Sequence, residues 1–353
     1  MRFARLLDVQ THFVAFFAIA LLLTGGAVNA NSTDRAVPSS PVSSSPAPAS
    51  PLPASPASAG TVATGAAVSG EAPAAAVQPS NPFETQGIYL QQYTAQSPKR
   101  LDHLINNSLE VGINTLVVDV AWRSPIYAKA VERIQHHGLR YVPRITMFPD
   151  GGTHEQVSSQ KFWEERWKLV SYAIELGAKD IQLDYIRYKS RTEASPHNAI
   201  NIREVLRFFK KRINERGAQL QIDVFGEVSH GPSLHIGQDM GLFAPEIDAV
   251  CPMVYPSHYE PYEERRHQPF ETVFDSLTAL KRQMGAQQVP VLAYIELFNH
   301  RFPMDAAERV KYIRAQLRAV REAHAEGWLA WSAGNRYDIL FEILRRFRQD
   351  AAG

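Results

Sequence analysis

The sequence predicts an α/β fold, a single-domain (β/α)8 TIM barrel, within residues 81–353, and three observations lead to it. Eight short apolar runs recur along this segment, and stretches with helical periodicity lie between them. Several helical stretches end at a glycine just before the next run, as left-handed helix caps require. Regular strand–helix alternation implies parallel strands with right-handed crossovers, and eight repeats in a segment of this size fit a closed barrel better than an open sheet.

The predicted elements follow in chain order, with strands at 87–93, 115–121, 141–148, 180–188, 220–226, 249–256, 289–297 and 328–333. Amphipathic patterns predict helices over 98–110, 124–137, 158–176, 198–216, 270–284, 305–326 and 337–348. Segment 233–244 is shorter, and we expect a turn or two there. The capping glycines are Gly112, Gly138, Gly177 and Gly217.

Residues 1–30 have the pattern of an export signal peptide. Arg2 and Arg5 give a basic start, residues 13–23 are apolar, and Val28-Asn29-Ala30 fits a small-x-small cleavage site. The apolar stretch is shorter than the ~20 residues that span a bilayer. We expect a cleaved signal, with an uncleaved N-terminal membrane tether as the alternative.

Residues 31–80 have the composition of a disordered linker. They contain nine Pro, eleven Ser and thirteen Ala, no aromatic residue, and only Asp34, Arg35 and Glu71 as charges. Such a segment cannot bury enough apolar surface to offset the entropy of ordering it. The sequence therefore predicts an exported bacterial protein, periplasmic or extracellular, whose folded domain follows an extended linker.

Overall charge and cysteine content exclude several classes of function. The formal net charge is +1, which gives no global field for binding nucleic acid. The single cysteine, Cys251, excludes an internal disulfide, and its apolar neighbours predict a buried structural thiol. His136 and His137 lack the spacing of metal ligands, so we expect neither a metal nor a cofactor.

Strand periodicity predicts which side chains point into the barrel. Alternate residues of a barrel strand face the lumen and the surrounding helices. If the aliphatic residues Ile181, Leu183, Ile222, Val224 and Ile295 face outward, three acidic residues, Asp184, Asp223 and Glu296, face inward. Asp119, Arg144, Tyr255 and Tyr294 join them, late in their strands, where the active sites of such barrels lie.

This lining favours a carbohydrate substrate. Aromatic rings stack on the apolar faces of sugars, while carboxylates bind hydroxyls; the predicted aromatic residues are Trp122, Tyr185, Tyr255, Tyr259, Tyr294 and Trp331. Hydrolysis of a glycosidic bond needs one carboxyl group to protonate the leaving oxygen and a second to attack or to activate water. Asp184 and Asp223 form the best-placed pair, and Glu227 and Glu296 are further acid candidates.

Seven motifs, in order, resemble a family of exported bacterial (β/α)8-barrel proteins classed as glycoside hydrolases. They are GIYL (87–90), NTLVVDV (114–120), IQLDYIRY (181–188), DVFG (223–226), GQD (237–239), PMVYPSHY (252–259) and GNRY (334–337). The resemblance implies a barrel that acts on a polysaccharide. Two departures stand out: the segment after the second strand is short, and Glu296 replaces an amide common in the family.

The fourth strand also resembles the chitinase pattern of alternating acids that ends in a glutamic acid. Here Ile186 occupies the glutamate position and Gln182 that of an earlier acid, so substrate-assisted chitinase chemistry is disfavoured. Retaining enzymes with an aspartate nucleophile at the end of strand four are a closer parallel. By this resemblance Asp184 is the nucleophile, and Asp223 or Glu227 the general acid/base.

Several of the predicted site residues have a structural alternative. Asp184 could instead pair with Arg144 or Arg187, and Asp223 could bind substrate or form a salt bridge. Asp119 is expected to orient Arg144 or bind a hydroxyl, while His258 and Asn335 could cap loops or the last helix. The predicted substrate-binding residues are Asp119, Arg144, Tyr255, His258, Tyr259, Glu296, Trp331 and Asn335.

The leading hypothesis is a glycosidase that cleaves an extracellular or cell-wall polysaccharide by a two-carboxylate mechanism. The alternative is a barrel that binds carbohydrate without catalysis, and a second catalytic acid would discriminate between the two. A metal-dependent deacetylase or phosphoesterase is disfavoured, because no His/Asp ligand cluster stands out in the sequence.

Overall fold

Eight parallel strands close into a barrel in the computed structural model, which describes residues 84–298 and 300–352. The strands are β1 (Thr85–Leu90), β2 (Thr115–Asp119), β3 (Arg140–Thr146), β4 (Asp180–Asp184), β5 (Gln219–Phe225), β6 (Ala249–Met253), β7 (Leu292–Glu296) and β8 (Gly327–Trp331). Each pairs with the next, and β8 pairs with β1, which closes the sheet. The predicted fold is confirmed.

Helices connect the strands on the outside. They are α1 (Gln92–Ala95), α2 (Pro98–Val111), α3 (Pro125–His136), α4 (His154–Ser158), α5 (Gln160–Glu175), α6 (Pro196–Glu215), α7 (Met240–Phe243), α8 (Tyr262–Arg265), α9 (Pro269–Met284), α10 (Ala306–Glu322) and α11 (Asp338–Ala352). The seven long helices expected from the sequence are present, and segment 233–244 holds α7 and the start of a 3-10 helix, Ala244–Glu246. The predicted signal peptide (1–30) and linker (31–80) lie outside the described residues.

Several helix ends carry capping signals, of which the sequence predicted the glycines. The four capping glycines all have left-handed backbones, with φ of 81° at Gly112, 75° at Gly138, 94° at Gly177 and 72° at Gly217. At the start of α10, the side chains of Asp305 and Glu308 accept hydrogen bonds from each other's backbone N–H groups, at 2.8 and 2.9 Å. The four glycines end α2, α3, α5 and α6 just before the next strand begins.

Two apolar cores lie on the two faces of the sheet. The outer core, between strands and helices, includes the five aliphatic residues predicted to face outward: Ile181, Leu183, Ile222, Val224 and Ile295. Full burial of such a side chain stabilises the fold by about 1.5–3 kcal/mol. The inner core fills the lumen with residues such as Tyr89, Val117, Val142, Cys251 and Leu329. Cys251 is buried, as predicted, beneath the acidic residues of the mouth.

The fourth strand ends earlier than predicted. The sequence suggested a strand through residue 188, but β4 ends at Asp184 because Tyr185 has a left-handed backbone, with φ of 53°. The following loop is held by two backbone hydrogen bonds, from Gly152 N–H to the Arg187 carbonyl and from Tyr188 N–H to the Ile236 carbonyl, each 2.8 Å. Arg187 therefore has a fixed position just beyond the strand.

Candidate active site

A single arginine joins three aspartates at the carboxyl ends of four adjacent strands. Arg144 of β3 donates from Nη1 to Asp119 Oδ1 at 2.5 Å, from Nη2 to Asp184 Oδ2, and from Nε to Asp223 Oδ2 at 3.4 Å. All four side chains are mostly buried. We call these residues, Asp119, Arg144, Asp184 and Asp223, the Arg144 cluster. The sequence placed them on one face, and the structure brings them into direct contact.

Two aromatic residues stack beside the Arg144 cluster. The rings of Tyr89 and Trp331 lie 4.0 Å apart, and the Arg144 guanidinium carbon lies 5.3 and 5.2 Å from their centroids, within the range of a cation–π contact. Tyr89 also donates its hydroxyl hydrogen to Asp119 Oδ2 at 2.5 Å. Tyr89 is absent from the site residues predicted from the sequence, although it lies in β1 at a position that alternation places in the lumen.

Asp184 is held by two donors. Its Oδ2 accepts from Arg144, and its Oδ1 accepts from the backbone N–H of Tyr185 at 2.5 Å. Of the two pairings considered as structural alternatives, the one with Arg144 is present, while Arg187 lies beyond ion-pair distance. The left-handed turn at Tyr185 aims that N–H back at the carboxylate, so both oxygens are fixed.

Asp223 is the most buried member of the cluster, with 2% of its surface exposed. Burial, and then the nearby Asp184 carboxylate, raise its pKa well above the usual range for an aspartate. Its Oδ1 has no hydrogen-bond partner among the described residues. These features favour a protonated Asp223. Burial also raises the pKa of Asp119, although Arg144 and Tyr89 oppose that shift.

Glu227 lies in the 3-10 helix Gly226–His230, directly after β5. The residue is exposed, but its carboxyl group is crowded by protein, and this burial raises its pKa, as does the charge of Glu260. Gly226 allows the close approach of the loop after β6: a Cβ there would lie 2.0 Å from the Tyr259 hydroxyl oxygen and 2.5 Å from the Met253 carbonyl oxygen.

The three predicted binding residues after β6 have different surroundings. Tyr255 is buried and belongs to the lumen core, while Tyr259 is buried beneath Gly226. His258 is half-buried, and its ring lies 5.6 Å from that of Tyr255, edge to face. Of these three side chains, His258 offers most surface to a ligand.

Two predicted binding residues form hydrogen bonds within the protein. Glu296 accepts from the Ser257 hydroxyl at 2.6 Å and the Tyr312 hydroxyl at 2.9 Å, so its carboxylate meets helix α10. Burial raises the pKa of Glu296 to about 7. Asn335 bonds the backbone of Tyr89, Gln91 and Ser332, which ties the loop after β8 to β1.

Clusters of three or more His, Cys, Asp or Glu side chains that could hold a metal are absent from residues 84–298 and 300–352. Within the same described residues, the structure contains no helix long and apolar enough to cross a membrane. The Arg144 cluster offers paired, buried carboxyl groups at the ends of the strands, whereas Glu227 offers an exposed one in the 3-10 helix after β5. This arrangement suits acid–base chemistry.

A model of one protein family, described as "Putative glycosyl hydrolase domain", matches residues 149–337, more than half of the chain. The match includes Asp184, Asp223 and Glu227, and leaves out Asp119 and Arg144. No curated protein sequence matches the chain significantly.

Several solved structures have a fold similar to that of this chain. The spore cortex-lytic enzyme SleL of Bacillus cereus is 14% identical with a TM-score of 0.52, over 74% of this chain and 73% of its own. A class V chitinase from Pseudomonas fluorescens Pf-5 is 13% identical with a TM-score of 0.55, over 74% and 98%. An endo-1,4-beta-mannanase from Rhizomucor miehei is 10% identical with a TM-score of 0.57, over 78% and 97%. At these identities the likeness establishes the fold alone.

Proposed function

The chain belongs to this glycosyl hydrolase domain family, and on that premise we propose that its barrel hydrolyses O-glycosidic bonds of an extracellular or cell-wall polysaccharide with two carboxyl groups. Family membership makes the protein a glycosidase; the polymer and the mechanism are the proposal. Export through residues 1–30 and a possible membrane tether stay predictions from the sequence.

The observation that carries the mechanism is the position of Asp184. It ends β4 in the mouth of the barrel, and its two oxygens are held by Arg144 and by the Tyr185 N–H. A nucleophile gains most when its reacting atom is fixed before the substrate binds. Asp184 also shares one guanidinium with Asp223, so the two carboxyl groups lie close together. We assign Asp184 as the nucleophile.

The proton donor must be protonated and must reach the leaving oxygen. Asp223 and Glu227 both have raised pKa values, but Asp223 is 2% exposed and bonded to Arg144, whereas Glu227 is exposed. We therefore assign Glu227 as the general acid/base. Asp223 is then a positioning residue that supports Arg144 and Asp184.

The Asp184→Asn variant tests the nucleophile. A substrate is first found by screening bacterial exopolysaccharides and wall glycans for released reducing ends. Turnover of that substrate should fall by at least about 10⁴-fold in the variant. The thermal unfolding midpoint should change little, because Asp119 and Asp223 still pair with Arg144. Full activity in this variant would exclude Asp184 as nucleophile. A wild-type protein that binds a polysaccharide and releases nothing would support the non-catalytic alternative.

The Glu227→Gln variant tests the acid. Because a general acid works only while protonated, activity should fall as pH rises through its raised pKa, and that alkaline limb should disappear in Glu227→Gln. We expect kcat/KM to fall by about 10²–10⁴-fold.

Glu260→Gln is the matched control for the acid assignment. The Glu260 charge raises the pKa of Glu227, so its removal should move the alkaline limb to lower pH without abolishing activity. If the limb persists in Glu227→Gln and vanishes in Asp223→Asn, then Asp223 is the acid.

A further inference from the structure

Arg187 is a buried arginine in the loop just after β4. It is 8% exposed, and its guanidinium carbon lies 5.1 Å from the ring centroid of Tyr185 and 5.2 Å from that of Phe225. These two aromatic residues follow Asp184 and end β5, respectively, so both belong to the catalytic end of the barrel. Arg187 thus lies in the mouth, three residues beyond the proposed nucleophile.

In the part of the chain that the structure describes, Arg187 forms no salt bridge. Within the described residues, no carboxylate oxygen lies within 4 Å of its guanidinium, and the Asp184 and Asp150 charges act on it from farther away. Its Nη1 donates a hydrogen bond to the Tyr188 carbonyl oxygen at 2.9 Å. The Nε and Nη2 groups have no acceptor among the described residues, and solvent reaches both of them.

This free edge has the geometry of an anion site. The Nε and Nη2 hydrogens point the same way and can bind both oxygens of a carboxylate at once. A guanidinium stays charged even when burial lowers its pKa, so the cost of burying its charge is not removed by loss of a proton. An anion supplied by a ligand would satisfy both the charge and the two donors.

We propose that Arg187 binds the carboxylate of an acidic sugar unit, next to the unit that Asp184 attacks. The inference rests on the proposed function and narrows its substrate class to polysaccharides that contain uronic acids or similar carboxylated sugars. The three aspartates of the Arg144 cluster lie nearby and repel a ligand anion. A carboxylate, with one negative charge, is therefore repelled less at this site than a phosphate monoester, which carries two. Lys189 and Arg191, both exposed in the same loop, add positive charge on the approach.

The test compares D-glucuronate with D-glucose, which differ at the carboxylate, by ligand-observed NMR titration of the full-length protein. We expect glucuronate to bind wild type at least about tenfold more tightly than glucose, as one charge-assisted bidentate contact allows. Arg187→Met should abolish the preference, and Arg187→Lys should keep part of it. The control, Lys189→Met, removes a neighbouring exposed charge and should keep the preference.

The proposal is wrong if wild type shows no preference for glucuronate, if the preference survives in Arg187→Met, or if D-glucose 6-phosphate binds more tightly than glucuronate. These measurements need no turnover, so they stand even if no hydrolysis of any polysaccharide is found. Conversely, wild-type hydrolysis of a neutral polymer at a rate unchanged in Arg187→Met would overturn the acidic-sugar inference and leave the glycosidase mechanism intact.

Discussion

Two buried arginines at the same end of the barrel have opposite surroundings. Arg144 is 6% exposed and binds three aspartates, whereas Arg187 is 8% exposed and has no carboxylate within 4 Å among the described residues. Removing a cation from water costs several kcal/mol unless opposite charge compensates it. Arg144 is compensated within the protein. Arg187 is not, and this difference marks it as a residue whose partner comes from outside.

Glu296 is a buried acid that is stabilised without a lysine or arginine partner. No lysine or arginine in the described residues lies within 4 Å of its carboxylate, and hydroxyl donors from Ser257 and Tyr312 bind it instead. Burial raises its pKa to about 7, so protonation relieves the cost below that pH. An arginine keeps its charge, so a buried arginine without an anionic partner lowers the stability of the fold. Such destabilising residues are often found at functional sites.

The largest expected effect comes from making the same substitution at both arginines. Arg144→Met leaves the three buried carboxyl groups of the cluster without their cation and should lower the free energy of unfolding by about 3–5 kcal/mol. Arg187→Met removes an uncompensated cation along with one hydrogen bond and two ring contacts, so the net change should lie within about 1 kcal/mol of zero. Urea unfolding at pH 7 measures both values.

Equal losses in the two variants would contradict the comparison. They would mean that Arg187 stabilises the loop as much as Arg144 stabilises the mouth. Arg144→Lys is the control for geometry, because it keeps the charge and loses the fork that reaches three carboxylates at once. It should fall between wild type and Arg144→Met.

A smaller effect concerns Glu296 and pH. Its folded-state pKa of about 7 exceeds the usual glutamate value, so the folded protein holds a proton that the unfolded chain releases between about pH 4.5 and 7. Its contribution to stability is therefore full below that range and lost as pH rises through it. Relative to wild type, Glu296→Gln should gain roughly 3 kcal/mol of unfolding free energy across the range.

The difference between variant and wild type is the quantity to measure, because His300 titrates in the same range. Burial lowers the pKa of His300 to about 4, so its own contribution rises with pH and masks that of Glu296 in wild type alone. Denaturant unfolding at several pH values, repeated in a His300→Gln background, separates the two. A difference that stays flat with pH would show that Glu296 titrates normally.

Periodicity predicted the inward direction of Asp119, Arg144, Asp184 and Asp223, because residues two apart on a strand share a face. It could not predict that one guanidinium would join all four strands, since that depends on the register of β2 to β5. The same rule placed Glu296 in the mouth. The structure instead gives its carboxylate hydrogen bonds from Ser257 and from Tyr312 on α10, partners far apart in sequence.

Apolar alternation and helix caps are local properties of the chain, so they were enough to predict the barrel, its strand order and the end at which acidic residues gather. The pairing of the buried charges depends instead on contacts between residues that are far apart in the chain. Arg144 and Arg187 look alike in sequence, each following an apolar run near an aspartate. Their energies differ because a charge is compensated only by groups within a few ångströms, and the closure of the barrel sets those distances.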